Sequence, residues 1–217
     1  MRIDIWSDVI CPWCYLGKRR LERAMRELDW ADEIEIHWHA YLLDPTATAE
    51  PKDLESAINR KYGPGAFDGM VKRLTALEAA EGIDYRFDRA LRVSTLDAHR
   101  LLAWSWDHGG EAAQSPLKER LLRAYFEDGA NVADHATLTT LAAEVGLDAG
   151  DAAEVLAADR YRDVVLADLQ GARPGDHRRA GLPHRGPAVD PRRPGARDVR
   201  ERAEPGAGAA VAPGLIG

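Results

Sequence analysis

The chain has 217 residues, 45% of them hydrophobic, enough to bury one substantial core or a core with an inserted subdomain. Its net charge of -7 argues against nucleic acid as the main partner, and no apolar run approaches the roughly 18 residues that a membrane span requires. Ile3, Ile5 and the first cysteine follow the N-terminus so closely that a charged stretch, an apolar stretch and a cleavage site have no room, so the expected location is the cytoplasm.

Residues 2–7 alternate polar and apolar side chains and predict a strand. A helix is expected over 12–28, with Leu16, Leu21, Met25 and Leu28 on its apolar side, and a second strand over 33–43. In that strand Ile34, Ile36 and Trp38 alternate with Glu35, His37 and His39. This is the pattern of a half-buried strand joined in parallel to the first by the helix. From 45 to 162 the periodicity turns helical. Helices are predicted over 54–62, 66–81, 95–108, 116–127, 135–145 and 151–159, punctuated by Gly63, Gly82, Gly109, Gly110, Gly129 and Gly146. The chain thus divides into a βαβ unit in 1–44, a helical insertion domain in 45–162 and, over 163–170, the start of a second half of the first domain. Trp104 and Trp106 cannot both face one core from a helix, so one of them is expected to be exposed or to line a cleft.

The only two cysteines, Cys11 and Cys14, stand in the string Cys11-Pro12-Trp13-Cys14, at the junction of the first strand and the first helix. Thiols at i and i+3 can close a small-ring disulfide, and the unpaired N–H groups of a helix head favour a thiolate. In such motifs the thiol pKa falls to about 3.5 to 7.5. Cys11 is therefore expected to be the attacking, more exposed thiol, and Cys14, one turn in, the resolving thiol. Pro12 suits the first helical position, and Pro12 and Trp13 between the cysteines tune the redox potential. Asp8 either perturbs the nucleophile or ends the first strand. His99 is expected to pack near the domain junction rather than to act as a base. The cysteines with His37 and His39 would satisfy a zinc ligand count. Alternation more simply makes those histidines two side chains of one face, and no metal ligands are assigned.

Four stretches carry a resemblance: 8–21 (DVICPWCYLGKRRL), 38–45 (WHAYLLDP), 94–102 (STLDAHRLL) and 122–148 (LRAYFEDGANVADHATLTTLAAEVGLD). They resemble the DsbA-like thioredoxin-fold oxidoreductases, in particular the FrnE-like branch, related to the 2-hydroxychromene-2-carboxylate isomerases and kappa-class glutathione transferases. The resemblance covers about residues 1–170. It implies an α/β, thioredoxin-like fold with a large all-helical insertion, and thiol–disulfide exchange through Cys11 and Cys14. Tyr15 in CPWCY and His99 in DAHRL are the supporting positions. The implied partners are protein or small-molecule thiols and disulfides, with no cofactor beyond glutathione as a candidate thiol co-substrate; a homodimer is left open. Two alternatives stand beside this. One is a glutathione-dependent isomerase or transferase, although those branches typically carry Ser at the position matching Cys11 and give Cys14 no role. The other is an inactive binding remnant.

The remnant reading comes from the tail. Residues 171–217 contain no aromatic residue and no lysine, but nine arginines, nine glycines and seven of the twelve prolines. Such a composition is unsuited to the strands and the cis-proline segment that the resemblance implies there. Read from the second base of each codon, GARPGDHRRA (171–180) is compatible with A-R-A-L-G-I-T-G-V-P, a lead-in to that cis-proline. The tail therefore reads as aberrant, an out-of-frame translation of a GC-rich gene, with the second half of the fold missing.

Overall fold

The computed structural model describes residues 1–171. Strands β1 (Arg2–Ser7) and β2 (Glu35–Ala40) pair in parallel, from Arg2 opposite Glu35 to Ser7 opposite Ala40. The crossover between them is α1 (Pro12–Met25). Side chains alternate across a pleated strand, so this register sorts the sheet into two faces. Ile3, Ile5, Ile34, Ile36 and Trp38 form an apolar cluster with Leu21 and Met25 of α1. Asp4, Trp6, His37 and His39 belong to the opposite face.

The predicted βαβ unit is present with shorter elements. Helix α1 stops at Met25 because the chain tightens: the amides of Glu27 and Leu28 bond three residues back, to the carbonyls of Ala24 and Met25. Leu28, expected on the apolar side, is exposed. The second strand begins after a 3-10 turn at Ala31–Glu33 and ends at Ala40 rather than at residue 43.

The helical stretch follows. A two-residue antiparallel pair, β3 (Lys52–Asp53) with β4 (Leu91–Arg92), frames α2 (Leu54–Tyr62) and α3 (Ala66–Glu78). Asp53 caps α2 by accepting the Ser56 amide at 2.6 Å. The helices predicted over 95–108 and 116–127 are both present, as the two arms of α4 (Leu96–Arg123), separated at Gly110, whose non-helical φ of 58° and ψ of -146° are accessible to glycine. A π turn at Ala124–Asp128 ends it, closed by Gly129 in the left-handed region. Then come α5 (His135–Glu144) and α6 (Ala149–Ala157), capped by Asp134 and Asp148, and α7 (Arg162–Gly171). Asp148 sets the start of α6 two residues ahead of the predicted 151.

Helix α4 matters most for the sheet. It packs along β2 and closes the strand edge that faces away from β1. The Gln114 carboxamide takes the Trp38 amide on its Oε1 at 2.8 Å and donates from Nε2 to the Trp38 carbonyl at 2.9 Å, while Glu111 takes the Ile36 amide at 3.0 Å. Two side chains thus do part of the work of a neighbouring strand, pairing both backbone groups of Trp38 and the amide of Ile36. Helix α7 lies against β2 and α4. It covers residues 163–170, expected to open a second half of the fold. The main core joins Val9, Tyr15 and Leu16 to Leu101, Leu117, Leu121 and Phe126, so the helix head carrying the cysteines is anchored in the helical stretch. The predictions for residues 172–217, including the cis-proline segment and the frame-shifted reading, lie outside the described residues.

Candidate active site

Strand β1 ends at Ser7, and four residues carry the chain into α1. Cys11 is the N-cap of α1, in extended conformation and without a side-chain cap bond. Its carbonyl accepts the amides of Cys14 at 3.0 Å and Tyr15 at 3.2 Å, which closes the first helical turn and brings the two thiols together. Pro12 occupies the first helical position, where its missing N–H costs nothing. Its carbonyl accepts the Tyr85 hydroxyl at 2.7 Å, fixing the turn to the helical stretch. Trp13, between the thiols, is 45% exposed.

Asp8 lies beneath this turn, fully buried. One carboxylate oxygen accepts the Val9 amide at 2.7 Å and faces His99 Nε2 at 3.2 Å; the other accepts the Leu43 amide at 2.7 Å. Burial pushes this carboxyl up, but the hydrogen bonds from His99 and Leu43 and the charges of His99 and Lys118 outweigh it and hold the pKa below the ordinary value. Both readings of Asp8 meet here: it follows the end of β1, and its charge acts on Cys11. His99 is buried where α4 meets the sheet end, as expected, and there it orients Asp8.

The group that sequence reasoning missed is Lys118. Its side chain is buried, its ammonium donates to the Ser7 carbonyl at 3.1 Å, and it sits 5.8 Å from the Trp38 ring centroid. Burial lowers its pKa to about 8, against the opposing pull of Cys14, Asp8 and Cys11. A signal existed: Lys118 falls four residues after Gln114 and three before Leu121, on the buried stripe of α4.

The thiols titrate together. Cys14 is lowered to about 6, first by the hydrogen bond from the Cys11 thiol and then, against burial, by the Lys118 charge. Cys11 moves above the ordinary thiol range, because it donates that hydrogen bond, is desolvated and lies near Cys14 and Asp8. One proton is held between the two sulfurs, and the pair carries one negative charge at neutral pH. The Cys11 hydrogen bond first, and the Lys118 charge behind it, favour the charge on Cys14, whereas the expectation from the helix head is a charge on Cys11. Nor is Cys11 set apart by exposure, since both cysteines are partly buried.

Tyr15 is buried in the main core. Its ring packs with Tyr85 and Phe126, and its hydroxyl donates to Glu127 at 2.7 Å, so its role is to anchor α1. Trp106 lines a cavity of about 210 Å³ while Trp104 is buried, as the helix periodicity required. His37 and His39 do share a strand face, and they group with Asp4 rather than with the thiols.

A family model described as DSBA-like thioredoxin domain matches residues 2–175. The uncharacterized protein YwbO of Bacillus subtilis is 25% identical over 174 residues, covering 79% of this chain and 80% of that protein. A probable DsbA oxidoreductase from Streptomyces coelicolor has a similar structure, with a TM-score of 0.72 and 35% identity over 79% of this chain and 74% of that one. The cytosolic disulfide reductase DsbM of Pseudomonas aeruginosa, whose structure was solved with GSH, shares the fold at a TM-score of 0.54 and 22% identity, covering 84% of each chain.

Proposed function

The chain belongs to the DSBA-like thioredoxin domain family, and we propose that within it the protein is a thiol–disulfide oxidoreductase working through Cys11 and Cys14. The observation that supports this best is the pair itself: two thiols on the first turn of α1, one proton between them, a buried ammonium at hand and Asp8 beneath.

In the reducing direction Cys11, at the N-cap of α1, attacks a disulfide sulfur of the substrate. As the Cys11–substrate bond forms, the Cys11 proton passes along the existing hydrogen bond to the Cys14 thiolate, and the first substrate sulfur leaves as a thiolate. That leaving thiolate takes the proton back from Cys14, with Lys118 offsetting the negative charge that returns to Cys14. Cys14 then attacks the Cys11 sulfur, forming the Cys11–Cys14 disulfide and releasing the second substrate sulfur. The protein dithiol is oxidised by two electrons, and one substrate disulfide becomes two thiols. The reverse sequence inserts a disulfide.

Glutathione is the natural small-molecule thiol to recycle the pair, and the cytoplasm the compartment in which a dithiol is kept reduced. The test is insulin reduction by Cys11→Ser and Cys14→Ser variants. Both should lose turnover, and Cys14→Ser should accumulate mixed disulfides on non-reducing gels. Retention of turnover by either variant, or the absence of mixed disulfides with Cys14→Ser, overturns the assignment.

A further inference from the structure

The face of the sheet turned away from the α1 cluster carries a second set of chemical groups. In the β1–β2 register Asp4 stands opposite His37, and His39 follows two residues along on the same face. One atom of each, a carboxylate oxygen or an imidazole nitrogen, lies within 4.8 Å of the others. Asp4 Oδ1 is 2.9 Å from His39 Nε2 and 3.7 Å from His37 Nδ1. Ligand atoms around a tetrahedral zinc ion, with bonds of about 2.0 Å, are separated by roughly 3.3 Å, so the two observed spacings bracket the required one.

The surroundings hold these donors in place. His39 presents its other nitrogen, Nδ1, to Asp168 Oδ1 at 2.7 Å, while Asp168 Oδ2 accepts the Ala40 amide at 2.8 Å. This is the carboxylate–histidine arrangement that orients a metal-binding imidazole. The His39 ring stacks on Trp6 (centroids 4.6 Å apart) and the His37 ring on Trp106 (3.7 Å apart). An ion pair of His39 with its two carboxylates accounts for Asp4 and Asp168 but not for His37, whose Nδ1 is buried without a hydrogen-bond partner. The 210 Å³ cavity, lined by His37, His39, Trp106 and Asp168, leaves room for a further ligand.

We propose that Asp4, His37 and His39 form a three-ligand site for a borderline divalent transition ion such as Zn²⁺, with Asp168 as the positioning residue for His39. The donor set of two imidazoles and one carboxylate suits such an ion better than Mg²⁺ or Ca²⁺, which take oxygen ligands. The charges of Asp4 and Asp168 together balance that of the ion. The site is separate from the thiol pair and does not depend on the redox reading.

The test uses the full chain with both cysteines replaced by Ser, so that thiols contribute nothing, titrated with Zn²⁺ against a chromophoric chelator. One saturable equivalent is expected, and Asp168→Asn should weaken it by about 10- to 100-fold. Co²⁺ in its place should give d–d absorption without a thiolate charge-transfer band. His37→Ala should remove the equivalent while leaving the circular dichroism unchanged. Failure to bind one equivalent, or full retention of binding in His37→Ala, overturns the site. Should His37→Ala not fold, Asp4→Asn decides in its place, and undiminished binding by that variant overturns the proposal equally.

Discussion

A buried ammonium is costly unless nearby groups use its charge. Lys118 has one hydrogen bond to the Ser7 carbonyl, and its other partners are the charges of Cys14, Asp8 and Cys11. Lys118→Met keeps the apolar stem and removes the charge. The pH midpoint for alkylation of the pair should then rise from about 6 toward the ordinary thiol value of about 8.5. Iodoacetamide labelling rates across pH read this directly, whereas a lysine serving only as packing would leave the midpoint in place. The residues flanking the thiols in sequence, Asp8, Pro12 and Trp13, could be singled out by reading along the chain because the turn that gathers them is local. Lys118 could not, because it arrives from 104 positions beyond Cys14 and only the packing of α4 against β2 brings it there.

Among the elements, α4 decides how the site is assembled, since its first arm carries His99 and its second carries Gln114 and Lys118. The angle between the arms is set at Gly110, where a side chain would meet no atom within 4 Å but would be forced into a backbone region that is essentially glycine's alone. Gly110→Ala should therefore cost about 1–3 kcal/mol in urea denaturation, through strain and without a clash. Gln114→Ala should also be costly, because it leaves the buried amide and carbonyl of Trp38 unpaired, at about 1–3 kcal/mol for each. Loss of less than 0.5 kcal/mol, roughly the scale of an ordinary surface substitution, would show that water replaces the carboxamide. The Gly109-Gly110 pair was legible as the break between two helices, and the non-helical backbone at Gly110 bears this out; what the pattern did not show is that the buried residues on both sides, Leu101 and Leu117 among them, pack the second arm close after the first. The pairing of β3 with β4 left no trace in the pattern, since two residues are too few to show a period of two.

At the scale of the molecule, the sheet and the helical stretch meet at Asp8, which binds the Leu43 amide after β2, faces His99 of α4 and feels the charge of Lys118. The periodicities in the sequence identified the elements on each side of this junction. The resemblance in 1–170 agrees with the family match over 2–175. The junction itself was ambiguous, because an aspartate three residues before a cysteine is equally a strand end and an electrostatic partner until its contacts are seen. Its contacts predict an acid-sensitive fold. The Asp8 pKa in the folded chain lies below the ordinary value of 3.8. Above pH 3.8 the carboxylate is ionised in both the folded and unfolded chain, and its full contribution to stability is present; as pH falls through the lowered folded value, the unfolded state gains the proton first and that contribution is lost. Asp8→Asn keeps the shape but abolishes the charge and leaves the Lys118 ammonium without it. At neutral pH the variant should be less stable by about 1–3 kcal/mol, the cost of leaving a buried hydrogen-bonding partner of Asp8 unsatisfied. Below pH 3.8 its stability should fall less steeply than that of the parent, so the two curves converge. Urea midpoints measured from neutral pH down through this range check both statements, and parallel curves would mean that acid unfolding is governed by other carboxylates and that Asp8 does not hold the two parts together through its charge.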